Sequence, residues 1–490
     1  MVRFLFSILL FILMTATAVS PATGQTVDQA GNIKKAYLNL DYKLGNSLLS
    51  ASLSPDSPEY IRMAALRDFL SCLLRQSEGA SSGFYSKAEY WRNKLIRIEP
   101  RSPVNYATTA ELSIYRAVLA SQFSDYRTSS AALIVAYHEI EKNGKYMDVA
   151  DLNKLSGILG VLFSQVPDKA MKILRVAGIG ASGLRSFDGL MDYYYGSAPG
   201  SAVQLEGWLL LVTAYKEFSS NPARSRDFIL QEGDLFPGNP LVCYQSALAY
   251  LKAGFNDEAI RLLEKGMKAS TDGSFPLWNY QLGRCYLNRM DPKAAVYLEK
   301  FLAAPGGETY RHIGSLRLAW HFLINGETNK AQALFKEIKQ LPEARSVYDQ
   351  HAVREAESGI LPVADLIRLR LLFDGGYYDQ CLSGCQAIEL KGNLTGVSAV
   401  EEKYRKARCL QRMYRTDEAI GSYLQVLEQA GKVRSYWLPN SALQLGYLYK
   451  EKGQTDLALK YFNICLDINK YGYREGINRQ ARAALNELSR

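Results

Sequence analysis

The chain has 490 residues, 48% of them apolar and 22% charged, with a formal net charge of +9. That is the composition of a globular protein with ample core, and its mild, interleaved basic excess permits an acidic partner or a membrane surface without requiring nucleic acid. Seven cysteines, few and odd in number, exclude a disulfide framework, and four scattered histidines (His138, His312, His321, His351) form no metal-binding motif.

The first 24 residues differ from all that follow. Arg3 supplies one charge, Phe4 to Val19 is an apolar run, and Ala22-Thr23-Gly24 is a small-x-small cleavage site. A bilayer span needs about 20 apolar residues, so this shorter run reads as a signal peptide cleaved near Gly24, with a retained anchor as the alternative. No cysteine follows it, which argues against a lipoprotein, and no later stretch is long or apolar enough to span a membrane. The expected location is the periplasm or the periplasmic face of an outer membrane.

Residues 25–220 are helical by pattern. Pro58 to Leu74, Ala110 to Phe123 and Ser129 to Ile140 carry apolar residues at three- and four-residue spacing, with joints at SPDSP, EPRSP and SAPGS. These are degenerate helical repeats. Within them, Gly178, Gly180 and Gly183 have the G-x-G-x-x-G spacing of a dinucleotide loop. Such a loop needs a strand before it and an acid-tipped second strand after it. Here Ala170, Ile173, Leu174 and Ala177 are spaced for a helix, and SAPGSAVQLEGWLLLV opens another. The glycines therefore read as a joint leading into a helix over Leu184 to Tyr194, and no cofactor is expected.

A repeat runs through residues 221–470. In NSALQLGYLYKEKGQTDLALKYFNICLDI, the residues Gly446, Tyr449, Gly453, Ala458, Phe462 and Cys465 fall at the spacings of a tetratricopeptide repeat. Small residues at Gly446 and Ala458 let the two helices of a hairpin approach, large ones fill the space between hairpins, and Gly453 permits the turn. The register returns at Ala247/Ala259/Leu263, Gly283/Ala294/Leu298, Ala319/Ala331/Phe335, Leu369/Cys381/Cys385 and Ala407/Ala419/Tyr423. Cys381, Cys385 and Cys465 thus read as core fillers. Residues 471–490 hold a capping helix, Ile477 to Leu488. The expected fold is all-α: a tetratricopeptide-like helical-hairpin solenoid, a right-handed superhelix of about eleven or twelve hairpins.

KILRVAGIGASGLRSFDGLMDYY resembles the glycine-punctuated junction of the family of the mitochondrial outer-membrane inclusion-body-clearance protein. The stretch YWLPNSALQLGYLYKEKGQTDLALKYFNICLDINKYGYREGINRQARAALNEL resembles that family's last repeat and closing helix. In texture the chain also resembles tetratricopeptide proteins of the Bacteroidota cell envelope. These resemblances imply the fold; the export signal departs from a mitochondrial role.

In such a fold the first helix of each hairpin lines the concave face. That register puts Tyr244, Tyr280, Arg284, Asn288, Trp320, Arg370, Tyr404, Arg408, Arg412 and Tyr447 on the inner wall. Aromatic and arginine residues favour binding hot spots, and guanidinium groups bind carboxylates bidentately. Arg405, Arg408, Arg412 and Arg415 also stripe one helix, either toward an acidic or extended peptide or simply paired with Glu401 and Glu402. No serine elbow, Cys/His pairing or metal cluster stands out, so no catalytic or metal residues are assigned. The reading is a non-enzymatic scaffold for protein partners of the cell envelope, with peripheral membrane association possible. The alternative is an outer-membrane-associated glycan- or nutrient-binding protein. Asn393-Leu394-Thr395 is a lone glycosylation sequon in a loop.

Overall fold

Short polar joints set where helices begin. Ser57, Ser102 and Asn239 each cap a helix whose first residue is proline: the side-chain oxygen takes a backbone N–H of the first turn and the ring presets its φ. The structure is a computed structural model that describes residues 24–164, 179–180, 184–219, 221, 223–271, 275–344, 346–392, 394–428, 435–468 and 474–488. These contain 24 α-helices and no strand. The expected signal segment before Gly24, the expected helix through Ala170, Ile173, Leu174 and Ala177, and Gly178, Gly183 and Asn393 lie outside the described residues.

The chain forms two compact units. One comprises the residues up to Tyr286 with Pro292–Ala319 and Gln332–Gly359; the other comprises Leu287–Asp291, Trp320–Ala331 and Ile360–Arg490. The first begins with paired helices α1 (Gly24–Leu38) and α2 (Tyr42–Ser52), α3 (Pro58–Arg75) and α4 (Glu78–Arg97), and α5 (Pro103–Gln122) and α6 (Tyr126–Asn143). Next come α7 (Val149–Phe163) with α8 (Ser186–Tyr195), and α9 (Ala202–Phe218) with α10 (Arg224–Glu232). Then follow α11 (Pro240–Lys252) and α12 (Asn256–Ala269), α13 (Pro276–Asn288) and α14 (Lys293–Ala303), α15 (Arg311–Ile324) and α16 (Thr328–Ile338), of which residues 287–291 and 320–331 count with the second unit, and the single helix α17 (Val347–Glu357). The second unit holds α18 (Ala364–Gly375) with α19 (Tyr378–Lys391), α20 (Gly396–Arg412) with α21 (Thr416–Leu427), α22 (Trp437–Glu451) with α23 (Thr455–Asp467), and α24 (Arg474–Leu488).

All six repeat copies read in the sequence are hairpins here, α11/α12 through α22/α23 without α17. Their contact is large against small. A Cβ on Gly283 would lie 2.7 Å from Leu298 Cγ, and one on Gly446 would overlap the ring of Phe462. Ala247, Ala259, Ala294, Ala319, Ala331, Ala407, Ala419 and Ala458 have no exposed surface. Four turns are closed by glycine in the left-handed region: Gly254 (φ 87°), Gly326 (79°), Gly376 (82°) and Gly453 (71°). In the α20/α21 turn Tyr414 takes that role at φ 58°. All seven cysteines are buried and free, and Cys381, Cys385 and Cys465 sit in the core as fillers. The closing helix α24 buries Ile477, Ala481 and Ala484 against Phe462 and Cys465 and turns Arg479, Gln480 and Arg482 outward.

Of the glycine joint, residues 179–180 and 184–185 are described: the Gly180 N–H donates to the Tyr137 hydroxyl at 3.1 Å, and the helix that follows, α8, starts at Ser186 rather than Leu184. Glycines do matter at this joint, at other positions. A Cβ on Gly157 would stand 2.8 Å from the Leu190 nitrogen and one on Gly189 2.6 Å from the Asn153 oxygen, so α7 and α8 cross backbone to backbone.

In a simple solenoid each repeat touches only its neighbours. In the first unit early helices also reach late ones: α1 packs on α9, and the Asn239 amide donates to the Leu38 carbonyl at 3.1 Å. The N–H groups of Gly307 and Glu308 donate to the carbonyls of Arg75 (2.7 Å) and Gln76 (3.0 Å).

Candidate functional site

In the first unit, the first helices of successive hairpins bring aromatic and arginine side chains together. Tyr280 of α13 packs on Phe301 and on Tyr310, with centroids 5.3 and 4.9 Å apart, and Tyr310 stacks on Tyr348 of α17 at 5.8 Å. Arg317 of α15 lies over the Tyr280 ring and donates from Nε to its hydroxyl at 3.2 Å. Arg284, Arg317 and Glu217 all act electrostatically on the Tyr348 phenol. Tyr348 is 52% exposed, yet desolvation by the surrounding protein, followed by Glu217, raises its phenol above the ordinary value. Tyr348 is the accessible member of this wall; the others support it.

The sequence register assigned part of this wall and missed part. Arg284 is half-buried there as read, but Tyr244 and Tyr280 are 1% and 2% exposed. Tyr244 fills the space between hairpins against Phe275 and Trp278. Tyr310, Arg317 and Tyr348 were not assigned. Tyr348 sits on α17, which breaks the hairpin alternation and has no counterpart in the repeat pattern; its first-turn cap, Ser346, was the only local signal.

The second unit contains the remaining assigned residues. Asn288, Trp320 and Tyr404 are buried, a correction to their place on an open wall. Bulky groups at these positions are used for packing. Tyr404 is surrounded by Tyr423, Tyr436 and Trp437, and its hydroxyl accepts from Asn440 Nδ2 at 2.5 Å and Arg408 Nη1 at 3.4 Å. Trp320 lies under the Arg370 guanidinium at 4.6 Å. Arg370, Arg408 and Tyr447 are half-buried, and Arg412 is exposed. The arginine stripe therefore divides. Arg405 is buried and pairs with Glu401 at 2.9 Å, Arg408 also covers Phe373, and exposed Arg415 pairs with Glu418 at 2.7 Å. Reversing the charge of Arg408 would disturb packing along with any ligand. Glu402, buried beside Cys385, makes no ion pair with the stripe; burial, then Glu389, pushes its carboxyl up to about 7.

The densest cluster of charge was missed altogether. Lys34 (α1), Arg62 (α3), Glu111 (α5), Asp151 and Lys154 (α7), Tyr193 (α8) and Glu206 (α9) meet with at most 1% exposure each. Arg62 Nη1 and Nη2 donate to the two Asp151 oxygens at 2.9 and 2.6 Å, and its other donors reach both oxygens of Glu111. Lys154 Nζ donates to Glu111 at 2.7 Å and stands 3.6 Å from Glu206, which also takes Lys34 and the Tyr193 hydroxyl. Three cations face three anions. Burial opposes ionisation of Asp151, but Arg62 and Lys154 prevail and hold it down at about 2. Burial, against the pull of Glu206, lowers Lys34 to about 8. Every charge is spent on a neighbour, so the network fixes which helices meet and in what register.

No family model matches the chain, and no curated protein does. Three solved structures align along most of it: the crystal structure of the yeast Tom70 (14% identity, 95% of this chain and 96% of that one, TM-score 0.24), the APC/C hetero-tetramer Cut9-Hcn1 (12%, 94% and 96%, 0.25) and a monomeric mutant of IFIT1 with Gppp-AAAA (15%, 90% and 99%, 0.26). The chain is a tetratricopeptide-like helical-repeat protein. That statement stands on its own hairpins, whose small and large residues meet in the repeat's register, and not on superpositions of this quality.

Proposed function

We propose that the chain is a non-catalytic scaffold, exported to the cell envelope, that holds an extended acidic segment of a partner protein. The observation that carries this reading is the Tyr348 wall. A half-exposed phenol, backed by Tyr280 and Tyr310 and with Arg284 and Arg317 near it, offers rigid area plus directed donors. Export rests on the leader-like first 24 residues and the small-x-small site that ends them.

The test places a benzophenone side chain at position 348 in the native host and identifies crosslinked peptides by mass spectrometry. Leu390, 90% exposed, serves as the control position. Crosslinks from 348 to an acidic stretch of an envelope protein, absent from 390, are expected. Equal crosslinking from both positions, or crosslinks to cytoplasmic proteins only, would overturn the reading. With the partner in hand, Tyr348→Ala and Arg284→Glu should each weaken capture about tenfold.

A further inference from the structure

Directly behind the Tyr348 wall lies a pair of buried titratable groups that the scaffold reading does not use. His312, in the first turn of α15, and Asp349, next to Tyr348 on α17, are 4% and 1% exposed, with Nδ1 and Oδ1 3.8 Å apart. The Asp349 carboxylate accepts the Ile313 N–H at 3.0 Å, as well as the His312 backbone N–H and the Ser346 hydroxyl, and so caps α15 from α17. The imidazole donates to the Pro342 carbonyl. Nδ1 has no hydrogen-bond partner, so the donor is Nε2–H and Nδ1 carries the lone pair. With both groups deprotonated, a nitrogen lone pair faces a carboxylate at a distance too long for a hydrogen bond. One added proton turns the same two atoms into donor and acceptor.

We propose that His312 and Asp349 form a proton-operated latch between α15 and α17 that strengthens acidic-ligand binding at the Tyr348 wall when it closes. The inference rests on the peptide-site reading above. Closing draws the first turn of α15 toward α17, and Tyr310 and Tyr348 flank the latch on those two segments. It also removes one negative charge from behind a surface meant for carboxylates. A cleft of about 390 Å³, lined by His312, Lys339, Glu343, Gln350 and Arg354 among others, brings water to the His312 side of the pair. The charged groups around it are Lys339 from the end of α16, Glu343 from the following loop and Arg354 from α17. No charged neighbour contributes to either shift: burial lowers His312, and burial, opposed by the three donors, pushes Asp349 up to about 7.

The sign follows from Asp349. Its folded value lies above the ordinary 3.8, so the fold binds this proton more tightly than the unfolded chain does. The contribution to stability is complete below about 4 and is lost as pH rises through about 7. The latch therefore engages on mild acidification.

Two measurements test it on the full chain. In the first, NMR follows the His312 Cε1–H and Tyr348 ring signals from pH 8 to pH 6 with no ligand present. Both should move together with a midpoint near 7, and Asp349→Asn and His312→Gln should each abolish the movement. In the second, binding of fluorescein-labelled hexaglutamate is measured at both pH values. It should tighten about fivefold on acidification in the parent, while Asp349→Asn binds at both pH values as the parent does at pH 6. Binding that is equal at pH 6 and 8, or a Tyr348 signal that ignores the titration, overturns the latch alone. Absence of hexaglutamate binding at either pH overturns the peptide site and its regulation together.

Discussion

The helices from α1 to α9 and the hairpins from α18 to α23 share one secondary structure and are held by opposite means. In the later hairpins cohesion is apolar and local: Gly446 meets Phe462, and Ala458, Cys465 and Ala484 fill the space around it. In the early helices six full charges and a phenol sit at the centre, joined across sequence separations as large as 172 residues. An apolar stack gains from each added contact and tolerates drift in geometry. A buried ion network tolerates none, because each member is costly once its partner is gone. In the early region, where the sequence departs from the repeat motif, charge pairing joins α1, α3, α5, α7 and α9.

That contrast can be broken at either end. Arg62→Met leaves Glu111 and Asp151 without their guanidinium and should cost about 3–5 kcal/mol in denaturant unfolding. Hydrogen exchange should then show lost protection in α3, α5 and α7 while α22 and α23 keep theirs. A loss below about 1 kcal/mol would mean that the network is replaceable. In the apolar region, Gly446→Ala pushes a methyl into Phe462 and should cost about 1–3 kcal/mol, read from the same unfolding curves. The smallest effect has the opposite sign. Tyr414 is 92% exposed and holds φ 58° where other turns use glycine, so Tyr414→Gly should stabilise by up to about 1 kcal/mol.

The later hairpins were legible because their steric needs are local: a small residue in one helix and a large one some 16 positions on must meet whatever surrounds them, as Gly446 and Phe462 do. The binding wall was legible only in part. Register says which way a side chain points but not whether the next hairpin covers it, and Tyr244, Tyr280 and Tyr404 are covered. Tyr348 escaped because α17 belongs to no repeat. The ion network left a trace, single charges inside apolar runs such as Arg62 in YIRMAAL and Glu206 in VQLEGWLLL. Pairing them requires knowing which helices touch, and Lys34 and Glu206 are separated by four intervening hairpin joints. No local rule reaches that far.

Lys34 has one more consequence, for the order in which the molecule is made. It leaves the ribosome early, whereas the carboxylate that neutralises it arrives more than 170 residues later. Until α9 emerges, α1 has no place to deposit its ammonium group, and a nascent chain halted short of residue 206 cannot close its interior. A chain trimmed to start at Asp41 would meet the converse problem, since Glu206 would then enter the core with the first helix and its ammonium group absent.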